Sequence, residues 1–173
     1  MVIFILSQIK KNNSILVGIV VSQFISTKAA NSIFQNIRKR FESDYLNEKH
    51  FQNLTIDEIK NLGLSKNKAR TIKETSELFI SKRFDDLTKL TDDDLKKTLL
   101  GVFGIGPWSL NMFEIFCLGK FDVFSSKDAG LRVAMNNAAM VEPNSDWKLY
   151  DKYAERWSPY KTLASLHLWK TVD

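Results

Sequence analysis

Apolar residues recur at spacings of three and four through the first quarter of the chain. They fall at Leu16, Ile19, Val20 and Phe24, then at Ala30, Ile33, Phe34, Ile37 and Phe41. This is the helical period, and it predicts helix over residues 14–41. The stretch Gln23–Thr27 (QFIST) interrupts the pattern with polar and β-branched residues and predicts a break between two helices. Arg38, Lys39 and Arg40 close the second of them, where cations suit the dipole, and read as a solvated helix end. Thr55 followed by Glu58 is a capping box for a short helix. Gly63, in Leu62-Gly63-Leu64-Ser65, stops that helix. Ser65 opens the next, through Ala69, Ile72, Ser76 and Phe79. Thr91 begins another, with three aspartates in its first turn and Leu95, Leu99 and Leu100 behind them. Gly101–Pro107 (GVFGIGP) breaks it, and helix resumes over Trp108–Leu118. A loop over Lys120–Ser126 leads to helix over Asp128–Met140. One or two more helices lie between Tyr150 and Val172, around Pro159. About eight or nine helices and no series of strands place the chain in the all-α class.

Composition narrows the field. With 173 residues and 44% hydrophobic content, the chain makes one domain or two small lobes around a substantial core. Twenty-five Lys+Arg against 20 Asp+Glu give +5, which permits an anionic partner without demanding one. Cys117 is the single cysteine, so an internal disulfide, a Cys-rich zinc site and a four-cysteine iron–sulfur cluster are excluded. His50 and His167 are too few for a histidine metal site. The apolar run Met1–Leu6 is short and is followed, not preceded, by Lys10 and Lys11. It resembles neither a signal peptide nor a membrane span of roughly 18–20 residues. It is expected as a strand or helix packed into the core of a cytoplasmic protein with no membrane partner.

Three features could carry chemistry. Leu99 to Trp108 (LLGVFGIGPW) sets Gly104 and Gly106 between two amphipathic helices. A tight turn there aims backbone N–H groups and a helix N-terminus outward, as an anion site would need. An ordinary helix–helix turn would look the same. No strand precedes it and no third glycine follows, so it is not a dinucleotide fingerprint. Leu62–Ser65 repeats the helix–glycine turn–helix arrangement in weaker form. Asp128 stands at a helix start after Ser125-Ser126-Lys127, the place of a cap or of a functional carboxylate. Trp108, Trp147, Trp157 and Trp169, with Tyr153, Tyr160 and Phe24, are either core or the walls of a pocket for a flipped, electron-poor base.

Several blocks occur in one order: Ser22-Gln23-Phe24-Ile25-Ser26, Leu62-Gly63-Leu64-Ser65 with Lys68-Ala69, Gly104-Ile105-Gly106-Pro107-Trp108-Ser109, Phe121-Asp122-Val123-Phe124 before Asp128, and Tyr153–Tyr160 through Leu166–Trp169. In that order they resemble the helix-hairpin-helix DNA glycosylases, and within them the 3-methyladenine DNA glycosylase II branch, over roughly residues 14–170. The resemblance implies two helical lobes with the active site in the cleft between them, in a compact form without the N-terminal β domain of larger bacterial relatives. One lobe would span residues 12–120 and the other residues 1–11 with 121–173. It implies that Gly104, Gly106 and the Ser109 amide hold a DNA phosphate, with Gly63 and Lys66 as a further phosphate contact. A sodium or potassium ion on the carbonyls of Leu100, Val102 and Ile105 often accompanies such a hairpin, and no other cofactor is implied. Asp128 matches the essential carboxylate, and Phe24 the wedge that fills the gap left by a flipped nucleotide. Trp108, Met112 and Trp169 match base-pocket positions, Met112 standing where a relative carries tyrosine. Lyase relatives carry a lysine at the position of Trp108, so a monofunctional enzyme is implied.

The implied reaction is hydrolysis of the N-glycosidic bond of alkylated purines, such as 3-methyladenine and 7-methylguanine, in double-stranded DNA, by a monomeric repair enzyme. Such bases are cationic, and aromatic faces would favour them over neutral parents by roughly 0.5–2 kcal/mol per contact. Asp128 would stabilise the oxocarbenium-like sugar and orient the attacking water. Lys66, Lys68, Lys127 and Arg132 are candidates for the DNA face. A non-catalytic helix-hairpin-helix DNA-binding module would explain the glycines but not Asp128 together with the aromatic tail. A helical interaction or metabolic domain would carry the motifs by coincidence.

Overall fold

The computed structural model describes residues 12–43, 46, 48–81 and 89–172. The expectation for Met1–Leu6, and residues 1–11 of the second lobe, lie outside these. Among the described residues the chain is helical, with no strand. In chain order the α-helices are α1 Asn12–Ser22, α2 Thr27–Phe41, α3 Glu48–Gln52, α4 Ile56–Lys60, α5 Lys66–Ser81, α6 Asp92–Leu100, α7 Pro107–Phe116, α8 Ala129–Asn137, α9 Trp147–Ala154 and α10 Lys161–Trp169. A 3₁₀ turn, Glu155–Trp157, follows α9 directly. None of these helices is long and apolar enough to cross a membrane.

Helix α1 is the axis of the larger group. Ile15, Leu16, Val17, Ile19, Val20 and Val21 are all buried. The three-and-four spacing predicts an apolar stripe, but here every side of the helix is covered, because α2, α5 and α7 all pack against it. The predicted break follows at once: Ser26 caps α2 by accepting the Ala29 N–H at 3.3 Å. Helix α2 turns Ala30, Phe34 and Ile37 inward. Its basic end stops at Glu42, whose left-handed backbone turns the Ser43 N–H back to the Arg38 carbonyl at 3.3 Å.

Helix α4 starts with the complete capping box. Thr55 Oγ1 accepts the Glu58 N–H, and Glu58 Oε2 accepts the Thr55 N–H at 2.7 Å. The Thr55 N–H and hydroxyl, both donating to Oε2, hold the Glu58 carboxyl below the usual carboxylate range. Helices α3 and α4 both pack on α5. Helix α3 escapes the sequence pattern because it is a single turn with one buried side chain, Phe51, held edge-on to Phe41. Helices α6 and α7 form the second helix–turn–helix unit, with Thr91 capping α6 through the Asp94 N–H.

The smaller group comprises α8, α9 and α10. Helix α10 packs on α8. The loop after α7 is strapped to α10 by Thr162, whose N–H donates to the Phe121 carbonyl at 2.9 Å and whose Oγ1 donates to the Lys120 carbonyl at 2.7 Å. Asp122 extends the strap, accepting from Ser158 Oγ at 2.7 Å. The core is continuous across both groups: Phe116 of α7 stacks on Trp169 of α10 with ring centroids 6.0 Å apart.

Candidate active site

Three side chains far apart in sequence meet at the N-terminus of α8. Asp128 is the N-cap, 2% exposed, and its Oδ1 accepts the Leu131 N–H at 2.8 Å. The same oxygen accepts Trp169 Nε1–H at 3.0 Å. Oδ2 accepts Trp108 Nε1–H at 2.7 Å. Asp128 is therefore both a cap and a buried carboxylate clamped by two indoles. Three N–H donors and a helix N-terminus offset the cost of taking a carboxylate out of water. Helix α7 delivers Trp108 at its second position, and the last turn of α10 delivers Trp169. Gly130 leaves room for the meeting. A Cβ there would stand 3.2 Å from Asp128 Oδ1 and 3.4 Å from Trp169 Cδ1.

Trp108 is half-buried, so one face of the clamp opens toward solvent. Met112 and Trp169, by contrast, are buried completely or nearly so, as are Leu131 and Met135. Met112, one turn after Trp108 on α7, is thus in the core rather than on an open wall. Trp157 and Tyr153 belong to a separate aromatic cluster with Phe124.

The second part of the site is the α6–α7 turn. Gly104 has φ +77°, and a Cβ on it would collide with Thr71 of α5. Gly106 is different. It is the N-cap of α7 with an extended backbone, and a Cβ there would meet nothing within 4 Å. With Pro107 at the first helical position, the following N–H groups at this terminus lack intrahelical acceptors. The Phe103 N–H is held by Glu74 Oε2 at 3.0 Å, while Arg70 bonds Glu74 and lies over the Phe103 ring at 4.0 Å. The Val102 carbonyl accepts the Ile105 N–H at 3.1 Å. No cluster of three His, Cys, Asp or Glu side chains suited to a metal occurs among the described residues. Gly63 has φ +101° at the α4–α5 turn, and Lys66 is exposed at the start of α5.

Phe24 is fully exposed, 103%, on a left-handed backbone with φ 56°, just past the end of α1. An aromatic side chain in that conformation is strained and wholly solvated, which its packing in the fold does not explain. Beside it lies a residue that the sequence pattern does not single out. Gln23 is buried, and its Nε2 donates to the Gly104 carbonyl at 3.0 Å and to Ser109 Oγ at 2.8 Å. The available signal is a glutamine ending a fully apolar run, since a buried amide needs partners.

Three of the basic candidates have partners within the chain, Lys127 on its exposed surface. Lys68 Nζ donates to the Val21 carbonyl at 2.9 Å, and burial pulls its pKa down. Arg132 donates to the Ser126 carbonyl at 2.7 Å, fixing the loop before Asp128. Lys127 lies over the Trp147 ring at 3.9 Å. Lys68 in particular is turned inward rather than onto an open face.

The fold agrees with what the chain is similar to. The model of the HhH-GPD superfamily of base excision DNA repair proteins matches residues 17–159, and the chain belongs to that superfamily. It is 27% identical over 161 residues to DNA-3-methyladenine glycosylase 1 of Schizosaccharomyces pombe, covering 90% of this chain and 70% of that protein. It is 28% identical over 195 residues to the DNA-3-methyladenine glycosylase of Saccharomyces cerevisiae, covering 91% and 66%. The chain spans 42% of the length of a Bacillus subtilis relative that is 27% identical over 122 residues. Among solved structures, the S. pombe 3-methyladenine DNA glycosylase Mag1 in complex with abasic DNA aligns with a TM-score of 0.82 at 26% identity, covering 94% of this chain and 81% of that one. The DNA-3-methyladenine glycosidase of Bacillus halodurans aligns with a TM-score of 0.74 at 28% identity, covering 92% and 75%.

Proposed function

We propose that this chain is a monofunctional DNA glycosylase that hydrolyses the N-glycosidic bond of alkylated purines, of the 3-methyladenine and 7-methylguanine class, in duplex DNA. The observation that carries the reading is the Asp128 carboxylate held between the Trp108 and Trp169 indoles at a helix N-terminus. The names of the yeast relatives support the substrate class.

In the proposed mechanism the wedge Phe24 enters the duplex as the damaged nucleotide leaves the stack. Gly106, Gly104 and the Ser109 amide take a backbone phosphate, with Gly63 and Lys66 as a second contact. The open space at Gly106 supports this, because an oxygen can approach the α7 N-terminus there. Leu100, Val102 and Ile105 would offer carbonyls to a sodium or potassium ion, which would supply positive charge beside that phosphate. The cationic base leaves with the bonding electron pair and becomes neutral. Water adds to the sugar carbon and loses its proton to Asp128 or to solvent. Asp128 stabilises the positive charge on the sugar as the bond breaks. Trp108 yields its bond to Oδ2 when the sugar arrives, and its ring then faces the base. It has no amine, so no Schiff base forms and the strand stays intact. The two-lobe division, with residues 12–120 on one side and 121–172 on the other, belongs to the same reading and puts Trp108 and Asp128 across the cleft.

The test is release of methylated bases from alkylated duplex DNA by the purified chain. Free base and intact abasic strands support the proposal. Binding without base release would instead favour a non-catalytic module.

A further inference from the structure

The wedge and the phosphate-binding turn are far apart in sequence, yet one side chain joins them. Gln23 directly precedes Phe24, and its amide reaches the carbonyl of Gly104 and the hydroxyl of Ser109. Gly104 lies within the α6–α7 turn and Ser109 in the first turn of α7. Lys68 of α5 also holds this end of α1, through the Val21 carbonyl. The chain at residues 21–23 is thus anchored from α5, from the turn and from the start of α7. The next residue takes the left-handed backbone that throws Phe24 into solvent. A strained conformation persists only where its surroundings over-determine it, and the Gln23 contacts supply that.

We propose that Gln23 is a positioning residue that couples the wedge to the phosphate-binding turn, so that seating a phosphate at Gly106 and inserting Phe24 beside the flipped nucleotide are one event. The inference rests on the glycosylase reading and goes beyond it. Glutamine suits the task because one NH₂ group supplies both donors, and one of the acceptors, the Ser109 hydroxyl, is buried. A carboxylate could donate to neither, and a methionine of similar length fills the space and makes neither bond.

The test compares affinity for a duplex carrying a tetrahydrofuran abasic-site analogue with affinity for the intact duplex. A 2-aminopurine beside the analogue reports unstacking. Gln23→Met, Phe24→Ala and the double variant are measured with the native chain. Gln23→Met is expected to lower the preference for the abasic duplex about tenfold, the effect of losing one buried and one part-buried hydrogen bond that matter in the inserted state. It should weaken intact-duplex binding much less. The double variant should be little worse than Phe24→Ala alone, because each change breaks the same coupled step. Melting of each variant is followed by circular dichroism. Should Gln23→Met fail to fold, Ser109→Ala keeps the amide and removes one acceptor, and should show the same pattern in weaker form. An unchanged preference in the folded variant, or losses that multiply in the double variant, would overturn the inference alone. A native chain that does not prefer the abasic duplex would overturn the glycosylase reading, and this inference with it.

Discussion

Trp169 donates to Asp128 beside Gly130, where no side chain crowds either group. The indole Nε1 and the carboxylate Oδ1 lie 3.0 Å apart, and a Cβ on Gly130 would press on both. Gly130→Ala therefore sets two effects against each other. Alanine is favoured over glycine in a helix by about 1 kcal/mol. The Cβ contacts are tighter than ordinary packing and displace two groups that hold each other. The melting temperature should change little, while base release falls, because the movement is concentrated on the carboxylate proposed to carry the chemistry. A scan of thermal melts beside single-turnover rates checks both halves.

The two glycines of the α6–α7 turn should separate stability from binding. At Gly104 a Cβ meets Thr71 and the backbone is left-handed, so Gly104→Ala should destabilise the fold by about 1–3 kcal/mol. At Gly106 the space is open, so Gly106→Ala should leave denaturant unfolding nearly unchanged and weaken DNA binding. Equal destabilisation of the two variants would contradict the assignment of that space to a phosphate.

Much of this architecture is legible in the chain because it depends on local chemistry. Thr55 with Glu58, Thr91 before three aspartates, and the glycines at 63, 104 and 106 mark helix ends through hydrogen bonds a few residues long. Asp128 is readable as cap or catalytic group, and it occupies the cap position while receiving two indole donors. What the chain does not display is convergence. Nothing in the spacing of Trp108, Asp128 and Trp169 says that both indoles bond one carboxylate. Gln23 reads as an interruption of a helix, because its acceptors lie 81 and 86 residues away. Lys68 reads as a surface cation for the same reason: its partner is a carbonyl on another helix.

Phe24 offers a prediction of opposite sign. Its side chain touches solvent and its backbone is strained, so Phe24→Gly should stabilise the fold, by about 1 kcal/mol from relief of the left-handed backbone. The same variant should lose base release from duplex DNA and retain more of it on single-stranded DNA, where no stacked gap needs filling. Chemical denaturation and paired substrates measure the two effects.

The ion pair between Asp92 and Lys120, 2.8 Å long, gives the fold a pH signature. The hydrogen bond and charge of Lys120 lower the Asp92 carboxyl. Its contribution is then present above the unfolded value and is lost as pH falls through the folded one. For Lys120, burial alone would lower the ammonium, but its bonds to Asp92 and Glu114 outweigh that and raise it. Its contribution is present below the unfolded value and lost as pH rises through the folded one. Asp92→Asn should therefore melt below the native chain at neutral pH, and the gap should close as the pH drops below about 4. Melts across that range check the sign.

The central claim is that Asp128 performs the chemistry, and single-turnover base release from methylated duplex DNA tests it most directly. The side-chain amide introduced by Asp128→Asn would keep an oxygen for the Leu131 N–H, and asparagine is as good an N-cap as aspartate, so this variant should remain folded. The account predicts release of 3-methyladenine and 7-methylguanine by the native chain, and a rate lower by about a hundredfold or more in Asp128→Asn with DNA binding retained. Base release by the folded variant at the native rate would contradict it.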